Sequence, residues 1–161
     1  MIKKVDLRKT YKELFSAQQH EFTLITLPYL QYITIDTSLE DIGSAVSLLV
    51  MLNKSLMELS VQHRSIAYSS SYLEGRCSSK LDVWTMMILQ PSWIDRDIFG
   101  LALQVLESRK IGTQGLRFQI LHEGLAVQTL HSGSWDEIPA LKDFIADEWI
   151  LHQGYAPVSY H

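Results

Sequence analysis

The strongest constraint on this chain is one long helical pattern set between strands. Ile42, Ala45, Val46, Leu49, Leu52, Leu56 and Leu59 recur at helical spacing. Thr37-Ser38-Leu39-Glu40 stands just before them and fits the S/T-x-x-E capping box, whose hydroxyl and carboxylate each accept from an orphaned backbone N–H. The pattern predicts a helix over about 38–61. On its N-terminal side, residues 22–36 (FTLITLPYLQYITID) read as extended, because they are rich in Thr, Ile, Tyr and Phe, with Pro28 dividing the run. Leu30, Tyr32 and Thr34 alternate there against Gln31, Ile33 and Ile35. Both sets are fairly apolar, which predicts a strand covered on both faces. On the C-terminal side, residues 65–73 and 82–90 read as an antiparallel pair joined by Glu74 to Leu81. Together these elements make a β-α-β-β unit.

The remaining segments follow the same logic. Residues 3–15 read as a short amphipathic element with Val5, Leu7, Tyr11, Leu14 and Phe15 inward, so residues 1–20 are expected to form an N-terminal helical extension. Ser92-x-x-Asp95 is a second capping signature, opening a helix striped by Ile94, Ile98, Leu101 and Val105 and stopped at Gly112. Segments 116–123 and 125–131 read as two strands about Gly124. A third cap, Ser134-x-x-Glu137, opens a helix carrying Ile138, Leu141, Ile145 and Trp149, with Pro139 tolerated in its first turn. Strand 125–131, that helix and the tail from Tyr155 look like a second β-α-β-β unit, cut short. The repeat rests on element order alone.

Composition narrows the function classes. One domain over 1–161 is expected, and a chain of this length buries a core without disulfides. The formal net charge is −4, and its only basic run, Lys3 to Lys12, is broken by Asp6, so it reads as a solvated helix face and not as a nucleic-acid stripe. Cys77 is the single cysteine, which excludes an internal disulfide and a Cys-rich zinc site. No apolar run of spanning length or signal-type h-region is read, so the expectation is a cytoplasmic protein with no nucleic-acid and no membrane partner. No phosphate loop, nucleophile elbow or His-x-x-x-His spacing occurs; neither a cofactor nor a metal is expected.

Four collinear segments carry a resemblance. They are the stretch from Lys3 to Asp36, Leu73-Glu74-Gly75, Trp84-Thr85-Met86-Met87-Ile88-Leu89-Gln90-Pro91, and Phe118 to Ser134 with Glu123-Gly124-Leu125 and Leu130-His131-x-Gly133. In these the chain resembles the free-standing GyrI-like proteins, relatives of the effector-binding domains of bacterial multidrug regulators. The resemblance implies an α+β fold of two β-α-β-β halves with pseudo-twofold symmetry. It also implies an antiparallel sheet with helices on one face and a ligand cleft between the halves, with the last two strands before Ser134 as a central hairpin. In the family an amphiphilic drug or dye lies between aromatic side chains against a buried carboxylate, and some members hydrolyse cyclopropane-bearing alkylating compounds. The chain departs from the family at Arg76-Cys77-Ser78, where Leu-Trp-Trp is common. It also ends at Tyr160-His161, about where a final strand with an acidic residue would begin. The expectation is therefore a sheet without its final strand, whose open edge offers a homodimer contact.

Candidate site residues follow. Glu74 is placed by the resemblance as counter-charge to a cation or as a general base with a raised pKa. Trp84, Met86 and Ile88 share one face of their strand and, with Tyr72, are expected to line an apolar cleft. His131 ends its strand and is the remaining ligand-binding candidate, against a structural role as a hydrogen-bonded histidine. Three functions fit: a stand-alone binder of apolar or cationic amphiphiles, a hydrolase of strained electrophilic rings, or a non-catalytic interaction protein with a vestigial cleft. The family resemblance does not choose among them, because function lives in the site.

Overall fold

The computed structural model describes residues 1–78 and 83–157; Asp82, the Cys77 side chain and the end of the tail lie outside the described residues. The elements run β1 (Lys3–Asp6), α1 (Leu7–Thr10), a 3-10 turn (Lys12–Phe15), β2 (Thr23–Leu27), β3 (Leu30–Thr37) and α2 (Ile42–Arg64). There follow β4 (Ile66–Ser69), β5 (Leu73–Ser78), β6 (Val83–Gln90), α3 (Arg96–Ser108), β7 (Arg117–Leu121) and β8 (Gly124–Gln128). A C-terminal helical run closes the order: α4 (Ile138–Phe144), a π-helical turn (Ile145–Trp149) and α5 (Ile150–His152). The fold is mixed α+β with antiparallel sheets, as expected.

The central sheet has the order β5-β6-β3-β7, with every neighbour antiparallel. α2 and α3 cover one face. Leu49, Leu52 and Leu56 of α2 and Ile98, Ala102 and Leu106 of α3 meet Ile33, Ile88 and Phe118 of the sheet in the main core. By length and composition α2 is apolar enough to cross a membrane, which the sequence reading missed; here its apolar stripe is spent on this core.

Strands β7 and β8 do not form the expected hairpin. β7 pairs with β3 and β8 with β2, in one continuous register: Leu30 faces Leu121 and Leu27 faces Gly124. A two-residue hairpin needs positive φ at its central residues. Here only Gly124 has it (φ 67°), after His122 and Glu123, so the chain bends and continues instead of reversing. The facing strand bends at Pro28 and Tyr29, and the Tyr29 ring stacks on His122 with centroids 4.1 Å apart. The result is one long antiparallel ribbon, folded over at its middle.

Other boundaries move for local reasons. Residues 65–73 are not one strand. β4 pairs in parallel with β1, and β5 starts at Leu73, so Glu74 lies within a strand and not in a connection. The predicted N-terminal helical extension accordingly opens as a strand, β1, and only one helical turn follows before the 3-10 turn. Helix α2 begins later than its predicted cap: Ser38 Oγ accepts from the Asp41 N–H at 3.2 Å, which forms a turn ahead of the helix. For α3 the cap is Asp95, whose Oδ1 accepts from Ile98 N–H at 2.9 Å, and not Ser92. Its end is set by Lys110 (φ 61°) and not by Gly112. The Lys110 and Ile111 N–H groups bond back to Glu107 and Leu106, the Schellman pattern. Replacing Asp95 with Ala is expected to cost about 1 kcal/mol in urea unfolding, the usual worth of an N-cap; Ser92→Ala should change little.

Candidate functional site

A residue's partner across an antiparallel ladder points to the same face, and the next residue to the other. Met87 lies opposite Thr34 on one side and Glu74 on the other; Leu89 lies opposite Tyr32. These residues therefore share the face turned away from α2 and α3. Leu30, Tyr32, Met87 and Leu89 form a second buried cluster there, with Tyr11, Leu14 and Leu121 packed against it. The bent ribbon folds back over this face, and the C-terminal helical run leans on the ribbon. Phe22 contacts both Phe144 and Trp149, with ring centroids 5.8 and 5.6 Å away. The π-helical turn begins at Ile145, which reaches the space enclosed; such turns recur at functional positions.

The enclosed space is a cavity of about 690 Å³, within the range of small-molecule sites. Its walls are mainly apolar, from Leu30, Met87, Leu121 and Leu125. Glu74 and Tyr32 stand on its sheet wall. The Tyr32 hydroxyl donates to Glu74 Oε2 at 3.3 Å. The other carboxylate oxygen, Oε1, is shut off from solvent and has no hydrogen-bond partner. Burial disfavours the charged form and raises the Glu74 pKa from 4.5 to about 7. The Tyr32 hydrogen bond opposes that rise, and the negative charge of Glu123, also on the cavity wall, adds to it. Tyr32 is pushed up as well, first by burial and then by the Glu74 charge, so it remains a neutral donor.

Of the residues proposed from sequence, the cavity gathers Glu74. Trp84, Met86 and Ile88 do share a face, but it is the helix-side face. Met86 and Ile88 are buried in the main core and Trp84 packs against it. The Trp84 ring also lies over Gly75, where an added Cβ would sit 3.4 Å from it. The error is a shift of one residue along β6, which exchanges every side chain between faces. Tyr72 is half exposed outside the cavity, edge-on to Phe15 with centroids 4.9 Å apart and with the Arg8 guanidinium over its ring. His131 also lies apart from the cavity. Its Nε2 sits 3.2 Å from the Ser134 carbonyl and 3.4 Å from Glu137 Oε2, a latch at the start of the C-terminal helical run. Tyr32, Met87, Glu123 and Lys142 line the cavity without having been singled out. One signal for the first was present: a strand apolar on both faces needs something to cover its second face.

No protein-family model matches the chain, and no curated protein matches it. Solved structures do. An uncharacterized conserved protein from Listeria innocua superposes with a TM-score of 0.78 at 18% identity, covering 96% of this chain and 86% of that one. A protein from the same organism described as a hydrolase gives 0.78 at 17% identity, covering 96% and 89%. A second one described as a hydrolase gives 0.78 at 19% identity, covering 94% and 82%. At these identities the likeness establishes the fold: a mixed α+β chain with antiparallel sheets, shared over nearly its full length.

Proposed function

We propose that the chain binds an apolar or cationic small amphiphile in the cavity between the sheet and the bent ribbon. The observation that carries this is the Glu74 carboxyl group, which lines a mainly apolar cavity with Oε2 held by Tyr32 and Oε1 unpartnered and shut off from solvent. A carboxylate kept from water in that way costs free energy, and a ligand cation that neutralises the group recovers part of that cost. Leu30, Met87 and Leu121 supply the apolar contact, with Met87 adaptable to different shapes. In keeping with the acidic, cysteine-poor composition, the proposed setting is the cytoplasm of a bacterium. The test is a fluorescence titration with a cationic aromatic dye. Wild type is expected to bind, and Glu74→Gln to weaken binding about tenfold, the ordinary scale of a lost charge-assisted contact of about 1.5 kcal/mol or more. Absence of any dye binding by wild type would favour a vestigial cleft.

A second reading, hydrolysis of a strained electrophile, has its own support. Two structural neighbours are described as hydrolases, and Glu74 is poised near neutrality beside a Tyr hydroxyl. In that reading the Glu74 carboxylate takes a proton from water as its oxygen bonds to ring carbon. The ring C–C bond breaks, and its electron pair leaves on the attached acceptor, which takes up the proton. Turnover of a cyclopropane-bearing electrophile by wild type, lost in Glu74→Gln, separates this reading from binding alone.

A further inference from the structure

We infer that the ligand of this cavity carries an anionic group, of the carboxylate or sulfonate kind, received by Lys142. The inference rests on the binding reading above and adds to it the charge pattern of the opposite wall. Lys142 lies on α4, half-buried, and lines the cavity across from the sheet that carries Glu74. Among the described residues no carboxylate lies within ion-pair distance of its ammonium group. An ammonium group on a mainly apolar wall, with no ion-pair partner among the described residues, is stabilised when an anion reaches it. A ligand that is only cationic leaves Lys142 unanswered, whatever it gains at Glu74 and Glu123. An amphoteric one satisfies both walls: its cation or donor lies on the sheet side, its apolar body over Met87 and Leu121, and its anion at the helix.

A matched pair of rhodamine dyes tests this, one the cationic ester and the other its zwitterionic free acid, with the same ring system. Wild type is expected to bind the acid about tenfold more tightly than the ester, the scale of one partly buried ion pair. Lys142→Gln should remove that preference by weakening the acid alone, and Lys142→Arg should keep most of it. Equal affinities in wild type, or a preference that survives in Lys142→Gln, would overturn the assignment to Lys142 and leave the cavity reading standing. Failure of both dyes to bind would overturn the two together.

Discussion

Between about pH 4 and about pH 8, wild type is expected to lose about 3 kcal/mol of stability relative to Glu74→Gln, which is the free energy of a carboxyl group whose pKa rises on folding from 4.5 to about 7. The sign follows from proton counting. Between the two pKa values native Glu74 holds a proton that the unfolded chain has already lost. Folding therefore takes up a proton, and stability falls as pH rises, levelling off above the native pKa. The cause is burial first, with Glu123 adding to it, and the Tyr32 hydrogen bond offsets only part. Glu74→Gln keeps the shape and can still accept from Tyr32, but it cannot ionise. Urea unfolding of both proteins across the range isolates the Glu74 contribution from that of other titrating groups. Parallel pH profiles would show that the carboxyl is hydrated in the folded chain, and the proposed counter-charge role would go with it. Conversely, affinity for a cationic dye should strengthen as pH rises toward the native pKa in wild type and stay flat in Glu74→Gln.

The sequence carries the fold more clearly than the site, and the reason is physical. Apolar periodicity reports burial, and burial is what α2, α3, β3 and β6 share. The same signal cannot say what does the burying. Along β6, Met86 and Ile88 are buried by the helices, while Met87 and Leu89 are buried under the ribbon, and all are apolar. With both faces covered, the alternation that would assign a face disappears. The aromatic weight of Trp84 then points to the wrong side. Pairing was equally hidden: β7 and β8 are adjacent in sequence with a glycine at their junction, yet both belong to a ladder with the strand broken at Pro28. Glu74 could be found because the family resemblance marked it, although the sequence reading set it in a connection and not in β5. Its partner Tyr32 was hidden by an ordinary strand context. Lys142 was hidden too, since a lysine on a helix normally reads as solvated.

Exchanging neighbours on β6 tests the assignment of faces directly. Ile88→Ala is expected to cost about 2–5 kcal/mol, because the side chain is 3% exposed and sits among Ile33, Phe118 and the α2 leucines in a core that cannot close over the gap. Its effect on dye affinity should be small so long as the protein is kept below its unfolding transition. Met87→Ala removes a side chain that is as well buried, at 5% exposed, but that borders a cavity already present. Less close-packed contact is lost there, so the stability cost should fall toward the lower end of that range, while dye affinity changes by about tenfold or more as the wall recedes. Urea denaturation and dye titration of the two variants together give four numbers. If the larger stability loss came with Met87→Ala and the larger affinity change with Ile88→Ala, the two faces of β6 would be interchanged, and Trp84, Met86 and Ile88 would become the pocket wall. If the losses fall as expected, the sheet divides cleanly: one face for the core, and the other, with Glu74 and Tyr32 on it, for the ligand.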